Sequence, residues 1–487
     1  MSDWTDRRLH FIAIGGAGMS GLALVCHQLG ATVSGSDRAE SSYTERLRAS
    51  GLGPRIGHDP DHVPEEAEVV VSTAIADDNP ELARARERGQ KVIHRGELLA
   101  ELCAERCLLA IAGTHGKTTT AAMCVHAMRA IGEDPAFFLG GELPGVGPGG
   151  DPANAGWGEG EWVIAEADES DASFLRLSPE VAVITNLELD HHSRWSSLAE
   201  LTGAFAAFAS AASGLVVGAE VELPGRGGAE TASGGDGGTQ SGERRQVRFA
   251  LEPASSSEPA PPVDLLAEGI ESEPGGGSRF HAHGAGIDAQ VRLAVPGLHN
   301  IANALASVGA LALAGADVDR AAEALASFGG VSRRLELKGE RDGARIYDDY
   351  AHHPTEVHAV LAAARELGPR RLIAAFQPHL YSRTKALATE FGAALSAADE
   401  VIVLDVYPAR EEPVGELAGV SGRLIAEATA DHAGGRPVWW LPDSELAAKA
   451  LGPRLGEGDL LLTIGAGDIF KLAEELVAGD GGPGEGE

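Results

Sequence analysis

Lys117 stands in the run Ala112-Gly113-Thr114-His115-Gly116-Lys117-Thr118-Thr119-Thr120, after an apolar stretch at 108–111 and before a helical stretch at 121–128. A buried strand, a glycine-rich turn, Lys-Thr and a helix together form a device for holding a nucleoside triphosphate. Backbone N–H groups surround the phosphates, the helix N-terminus adds partial positive charge, the lysine reaches the β- and γ-oxygens, and the threonine hydroxyl faces Mg²⁺. The strict form of this loop has a glycine six residues before the lysine, where this chain has Ile111, so the loop is a shortened variant. Gly113, Thr114, His115, Gly116, Lys117, Thr118 and Thr119 are the candidate ATP-binding set.

A second glycine loop, Gly16-Ala17-Gly18-Met19-Ser20-Gly21, follows an apolar run at 9–14, and Asp37 lies 21 residues after Gly16. This spacing suits the diphosphate of a nucleotide ligand, with the aspartate on a ribose hydroxyl. The motif leaves open whether the occupant is a redox dinucleotide or another nucleotide. Ala165-Glu166-Ala167-Asp168-Glu169-Ser170-Asp171 gathers four carboxylates after a strand, either as oxygen ligands for a metal–nucleotide or as a solvated acidic loop. Thr185-Asn186-Leu187-Glu188-Leu189-Asp190-His191-His192 also follows an apolar strand, and its histidines are candidates to bind metal or orient phosphate. Asn300 and Asn303, near the start of an Ala-rich helix, either read an adenine edge or cap the helix. Arg334 is a candidate phosphate ligand. The runs around Asp348, Asp349, His352 and His353, and around His379 and Arg383, follow strands but lack diagnostic zinc-ligand spacing.

The elements that must position these groups alternate between strand and helix, which implies doubly wound parallel sheets. With 487 residues, the length suits about three domains. The expected boundaries are 1–107, 108–327 and 328–487. Residues 225–286 are rich in Gly, Ser, Pro and Glu and read as surface hairpins in a mobile insertion, and 479–487 as a frayed tail. The net charge of −33 argues against nucleic acid or an anionic membrane as partner. No apolar run reaches the length of a membrane span, and four cysteines without paired spacing suit a reducing cytoplasm. Lysine is scarce, with six among 39 basic residues, and none lies between Lys117 and Lys338.

Taken in order, HFIAIGGAGMSGLA, AGTHGKTTT, EADESDASF, TNLELDHH, PGLHNIANA, GVSRRLELKG, DDYAHHPTEV, FQPHLYSRT, DVYPAREEP and GAGDI resemble the Mur ligase family over nearly the whole chain. The resemblance implies three α/β domains: an N-terminal Rossmann-like domain for a UDP-sugar, a central P-loop ATPase-type domain, and a C-terminal Rossmann-like domain that closes over ATP. It implies ATP- and Mg²⁺-dependent ligation of L-alanine to the carboxylate of UDP-N-acetylmuramate through an acyl phosphate, in a cytoplasmic monomer or weak homodimer. The neighbouring alternative within the family adds a recycled tripeptide to the same UDP-sugar.

By motif match, Gly16, Ala17, Gly18, Met19, Ser20, Asp37 and Ser72 would hold the UDP-sugar. Thr118, Glu166 and His191 would serve the metal, and Asn300 and Asn303 would contact adenine. Arg334 and Asp349 would reach phosphate and ribose, and His379 and Arg383 the sugar carboxylate. Two departures stand out: Leu380, where many relatives carry arginine, and the insertion at 225–286. The carbamylated lysine that later-step relatives use in the central domain has no candidate here, which suits the L-alanine-adding branch.

Overall fold

A computed structural model describes residues 4–190, 194–224, 245–252 and 263–479. Short apolar runs become strands in three sheets. The first holds β1 (Arg8–Ile12), β2 (Thr32–Asp37), β3 (Arg55–Ile56), β4 (Glu68–Val71) and β5 (Val92–His94) in the order β3-β2-β1-β4-β5. All its pairings are parallel. The order reverses direction between β1 and β4, so the loop after β1 opens at a topological switch point.

The second sheet has ten strands: β6 (Cys107–Ala112), β7 (Ala136–Leu143), β8 (Ala153–Gly156), β9 (Trp162–Glu166), β10 (Val181–Ile184), β11 (Gly214–Gly218), β12 (Arg245–Leu251), β13 (Leu265–Ser272), β14 (Ser278–Gly284) and β15 (Ile287–Leu293). Their order is β15-β14-β13-β12-β11-β10-β6-β9-β7-β8. β6 lies between β9 and β10, with Ile111 opposite Glu166 and Ala112 opposite Ile184. Leu108, Leu109, Ala110, Ile111 and Ala112 are all buried, as a strand covered on both faces requires.

The third sheet comprises β16 (Glu336–Arg341), β17 (Ala344–Asp349), β18 (Arg371–Phe376), β19 (Glu400–Val403), β20 (Val438–Trp440) and β21 (Asp459–Ile464), in the order β16-β17-β21-β18-β19-β20. Only the β16–β17 pairing is antiparallel there. The chain thus carries three sheet-containing α/β domains in two compact units. The first two sheets lie mainly in one unit; the other unit comprises 271–279, 293–300 and 329–487.

The segment expected to form surface hairpins in a mobile insertion carries strands that extend the central sheet. Its parts at 225–244 and 253–262 lie outside the described residues. β12 pairs in parallel with β11, and β13 with β12, so the sheet continues through this region. Phe249, Leu265, Ala267, Phe280 and Ala282 are buried. In β14 and β15 buried residues alternate with polar ones that are exposed or half-buried, which lowers mean hydropathy while one face packs.

Helix starts differ in a way that bears on function. The helices Ser42–Ala49 and Leu198–Ser210 are capped by the side chains of Ser41 and Ser197. The helices Ala17–Gln28 and Lys117–Ala130, which follow the two glycine loops, start at Gly16 and Gly116 with no side-chain cap and no acidic residue in the first turn. Their first N–H groups and positive dipole ends are left for an anion.

Candidate active site

The loop after β6 turns on two left-handed glycines, Gly113 (φ 131°) and Gly116 (φ 81°). A Cβ on Gly113 would lie 2.1 Å from Thr185 Oγ1, and one on Gly116 would lie 2.3 Å from Asn303 Oδ1. β10 supplies the scaffold on one side. Asn186 Oδ1 accepts from His115 N at 2.9 Å, and Thr185 Oγ1 donates to His115 O at 2.6 Å. Thr114 Oγ1 both donates to Glu188 O and accepts from Glu188 N, while His115 Nε2 lies 3.1 Å from Glu188 Oε2. We expect Gly113→Ala to raise the KM for ATP by about 100-fold, since strain and clash of about 2–3 kcal/mol would open the loop. Steady-state kinetics on the folded variant check this.

β9 supplies the other side. Thr118 Oγ1 donates to Glu166 Oε2 at 2.7 Å, and the same oxygen accepts from Gly140 N at 2.7 Å. The two side chains matched to metal binding are therefore adjacent, and both offer only oxygen, the donor type that Mg²⁺ selects. His191, their expected companion, lies outside the described residues. Asn303 packs against Gly116 and accepts from Thr120 Oγ1 at 3.3 Å.

Lys117 Nζ donates to Gly113 O at 2.6 Å and to Thr114 O at 3.1 Å, and lies 3.0 Å from Glu169 Oε2. Burial alone would lower its pKa, but the carboxylates of Glu169, Glu166 and Asp168 more than offset that and raise it, so the lysine stays charged. Burial pushes Glu169 up to about 7 despite Lys117, with Asp168 adding to the rise. A carboxyl that binds its proton more tightly when folded contributes stability below its unfolded pKa and loses it as pH rises through the folded value. Relative to Glu169→Gln, the native chain should therefore lose stability between about pH 5 and pH 8. Denaturation midpoints of both proteins across that range test this, and parallel curves would refute it.

In the first sheet, Gly15 N donates to Asp37 Oδ2 at 2.8 Å, so the aspartate pins the glycine loop. A Cβ on Gly15 would lie 2.7 Å from Thr44 Cγ2. Met19 is buried in the core, and Ser20 Oγ donates back to Ala17 O. These two positions thus offer backbone rather than side chain to a ligand. The Ala17 carbonyl also accepts from Asn154 Nδ2 at 2.7 Å. Ser72 closes the turn after β4, its carbonyl accepting from Ile75 N. Arg95 Nη1 lies 3.3 Å from where a Gly18 Cβ would be, and Arg95 ion-pairs with Asp171 at 2.7 Å and Asp168 at 3.2 Å.

In the other unit, both Asp349 oxygens accept backbone N–H groups, from Ala351 at 2.7 Å and Leu335 at 2.7 Å. Burial pushes its carboxyl up to about 6 against the pull of Arg334. Arg333 is the structural arginine: it pairs with Asp348 at 3.0 Å and donates to the carbonyls of Gly465 and Gly467. Both guanidiniums lie over the Tyr350 ring, Arg333 at 5.1 Å and Arg334 at 5.3 Å from its centroid. His379 stacks on Tyr407 with centroids 5.8 Å apart, and Arg383 Nη1 sits 3.5 Å from His379 Nδ1. Leu380 between them takes φ 70°. Asn300 Nδ2 donates to Pro296 O at 2.7 Å.

Sequence reading gave no specific role to Glu169, Asn186 or Arg95. Glu169 was one of four equivalent carboxylates, Asn186 had no visible partner, and Arg95 lies more than 70 residues from the acidic segment it binds. Only the sheet order could single them out.

Two uncapped glycine loops that follow parallel strands of α/β sheets, one with a half-buried lysine beside a Thr–Glu pair, define a nucleotide-dependent α/β enzyme with a P-loop-type phosphate site. Residues 8–106 match the model for the Mur ligase family, catalytic domain, and residues 333–467 match that for the Mur ligase, glutamate ligase domain. The UDP-N-acetylmuramate–L-alanine ligase of Kineococcus radiotolerans is 45% identical over 96% of this chain and 95% of its own length. Its counterpart from Rubrobacter xylanophilus is 43% identical over 97% and 99%. The crystal structure of UDP-N-acetylmuramate-alanine ligase MurC from Thermotoga maritima superposes with a TM-score of 0.79 at 28% identity, covering 97% of this chain and 98% of that one. The chain belongs to the Mur ligase family, whose members are ATP-dependent. No helix among the described residues is long and apolar enough to cross a membrane.

Proposed function

We propose that this chain joins L-alanine to the carboxylate of UDP-N-acetylmuramate with ATP, in peptidoglycan precursor synthesis. The observation that carries this reading is the identity of 45% across nearly the full length of a relative bearing that name. The geometry around Lys117 supports it. A carboxylate and a triphosphate repel, and the oxygen of a carboxylate is a poor leaving group for amide formation. Transfer of the γ-phosphoryl group to the sugar carboxylate gives an acyl phosphate. The alanine amine then adds to its carbonyl, and phosphate departs from the tetrahedral intermediate.

Lys117 supplies a fixed positive charge as phosphoryl oxygens separate, and the N–H groups of 113–118 hold the β-phosphate region. Thr118 and Glu166 would hold Mg²⁺, with His191 as a further ligand; bound there, the ion would neutralise charge on the transferring group. Asn300 and Asn303 are assigned to the adenine side, Arg334 to phosphate and Asp349 to ribose. Gly16, Ala17, Gly18, Met19, Ser20, Asp37 and Ser72 are assigned to the UDP-sugar, and His379 and Arg383 to its carboxylate. The 1–107, 108–327 and 328–487 domains take UDP-sugar, ATP and ligase roles respectively, in a cytoplasmic monomer or weak homodimer.

The test is phosphate release from Mg²⁺–ATP and UDP-N-acetylmuramate, with L-alanine or with L-Ala-γ-D-Glu-diaminopimelate. Release that requires L-alanine supports the assignment. Release only with the tripeptide would transfer the chain to the recycling reaction.

A further inference from the structure

The hairpin at the edge of the ten-stranded sheet carries a cluster that the ligase reaction does not use. β14 and β15 are joined by Ala285 and Gly286, whose φ of 51° and 81° are the central pair of a two-residue type I′ turn, with Gly284 before them at φ 116°. Such a turn fixes the register, so His283 faces Asp288 across the hairpin. The apolar face is anchored: Phe280, Ala282, Ile287, Ala289 and Val291 are buried. Strand alternation therefore places His281, His283 and Asp288 together on the outer face.

The side chains converge as well. His281 Nε2 lies 2.5 Å from Asp288 Oδ1, and His283 Nδ1 lies 3.8 Å from the same oxygen. The imidazole centroids are 5.6 Å apart, and one ligand atom from each residue lies within 4.8 Å of the other two. Zinc bonds of about 2.0–2.1 Å in tetrahedral geometry put ligand atoms about 3.3 Å apart, so these separations bracket what an ion would impose with small side-chain rotations. Arg279, on the same face of β14, has its guanidinium bonded to Glu271, which neutralises the cation nearest in sequence.

We propose that His281, His283 and Asp288 form a binding site for a divalent transition-metal ion of the Zn²⁺ class, bridging the two strands of the edge hairpin. Two imidazoles and one carboxylate favour Zn²⁺ or a neighbouring transition metal over Mg²⁺, which selects oxygen alone. Water completes the coordination, and the ion cross-links β14 to β15 at the sheet edge. The site is separate in sequence and in donor chemistry from the Thr118–Glu166 pair.

Equilibrium dialysis of the full chain against micromolar Zn²⁺ at pH 7.5, with millimolar Mg²⁺ present to occupy oxygen sites, tests this. The native chain should retain one more zinc per chain than His281→Ala/His283→Ala, and Asp288→Asn should weaken that equivalent at least tenfold. All three residues are at least partly exposed, so the variants should fold, and far-ultraviolet circular dichroism checks that they do. Equal zinc stoichiometry and affinity in the native and doubly substituted chains would overturn the proposal.

Discussion

Replacing Lys117 with alanine should lower the rate of phosphate release by about a thousandfold or more, while UDP-sugar binding stays within about threefold of the native value. The lysine ammonium is held by two loop carbonyls and Glu169. It is thus oriented before any nucleotide arrives, and its charge requires no reorganisation as the phosphoryl group moves. Glu169 would lose its cation and take up a proton at neutral pH, so the variant should not leave a bare buried charge. The glycine loop of the first sheet hangs on a separate set of contacts, Gly15 to Asp37 and Asn154 to Ala17. Turnover near the native rate would refute the phosphate site. Loss of both activities together would instead indicate unfolding.

Glu81→Ala should destabilise the chain by about 3–5 kcal/mol, read as a lower denaturation midpoint. Glu81 is fully buried. It accepts from Ser36 Oγ at 2.6 Å and from Asp59 N at 3.2 Å, and its oxygens lie 3.2 Å from His10 Nε2 and 3.3 Å from His62 Nδ1. Burial acts to raise its pKa, but His10, Ser36 and the Asp59 N–H outweigh it and hold the carboxyl low. A depressed carboxylate contributes stability above its unfolded pKa and loses it as pH falls through the folded value, so the penalty of the variant should shrink in acid. Truncation strands several donors in the core at once, which makes the cost large. Ser36 immediately precedes Asp37, so the same change should also loosen the Gly15 loop. An unchanged midpoint would show that the histidines are solvated rather than dependent on Glu81.

Much of the nucleotide machinery was legible in the residues. Local rules sufficed where a strand runs directly into its own loop and helix. β6, the Gly113–Gly116 turn and the helix at Lys117 form one continuous segment, and the turn demands glycine at two left-handed positions. The same holds for β1 and the loop at Gly16. Local rules reached less far at the edge of the central sheet, where they suggested hairpins but not that these continue the sheet. β14 and β15 alternate buried residues with polar ones, and a polar composition concealed one buried face. Hydropathy averages over both faces, whereas packing acts on one.

The sequence by itself determined the glycine loops, the α/β class and the family, because these depend on short-range geometry and residue type. Tertiary structure alone decided which carboxylate meets which cation. β6 runs between β9 and β10, and this sets Glu166 beside Thr118, Glu169 beside Lys117 and Asn186 under His115. Tertiary structure also gave the clamp on Gly465 and Gly467 to Arg333 rather than to its neighbour Arg334, while both lie over Tyr350. Pairings across 48 to 134 residues follow from strand order and register, and no local periodicity encodes these.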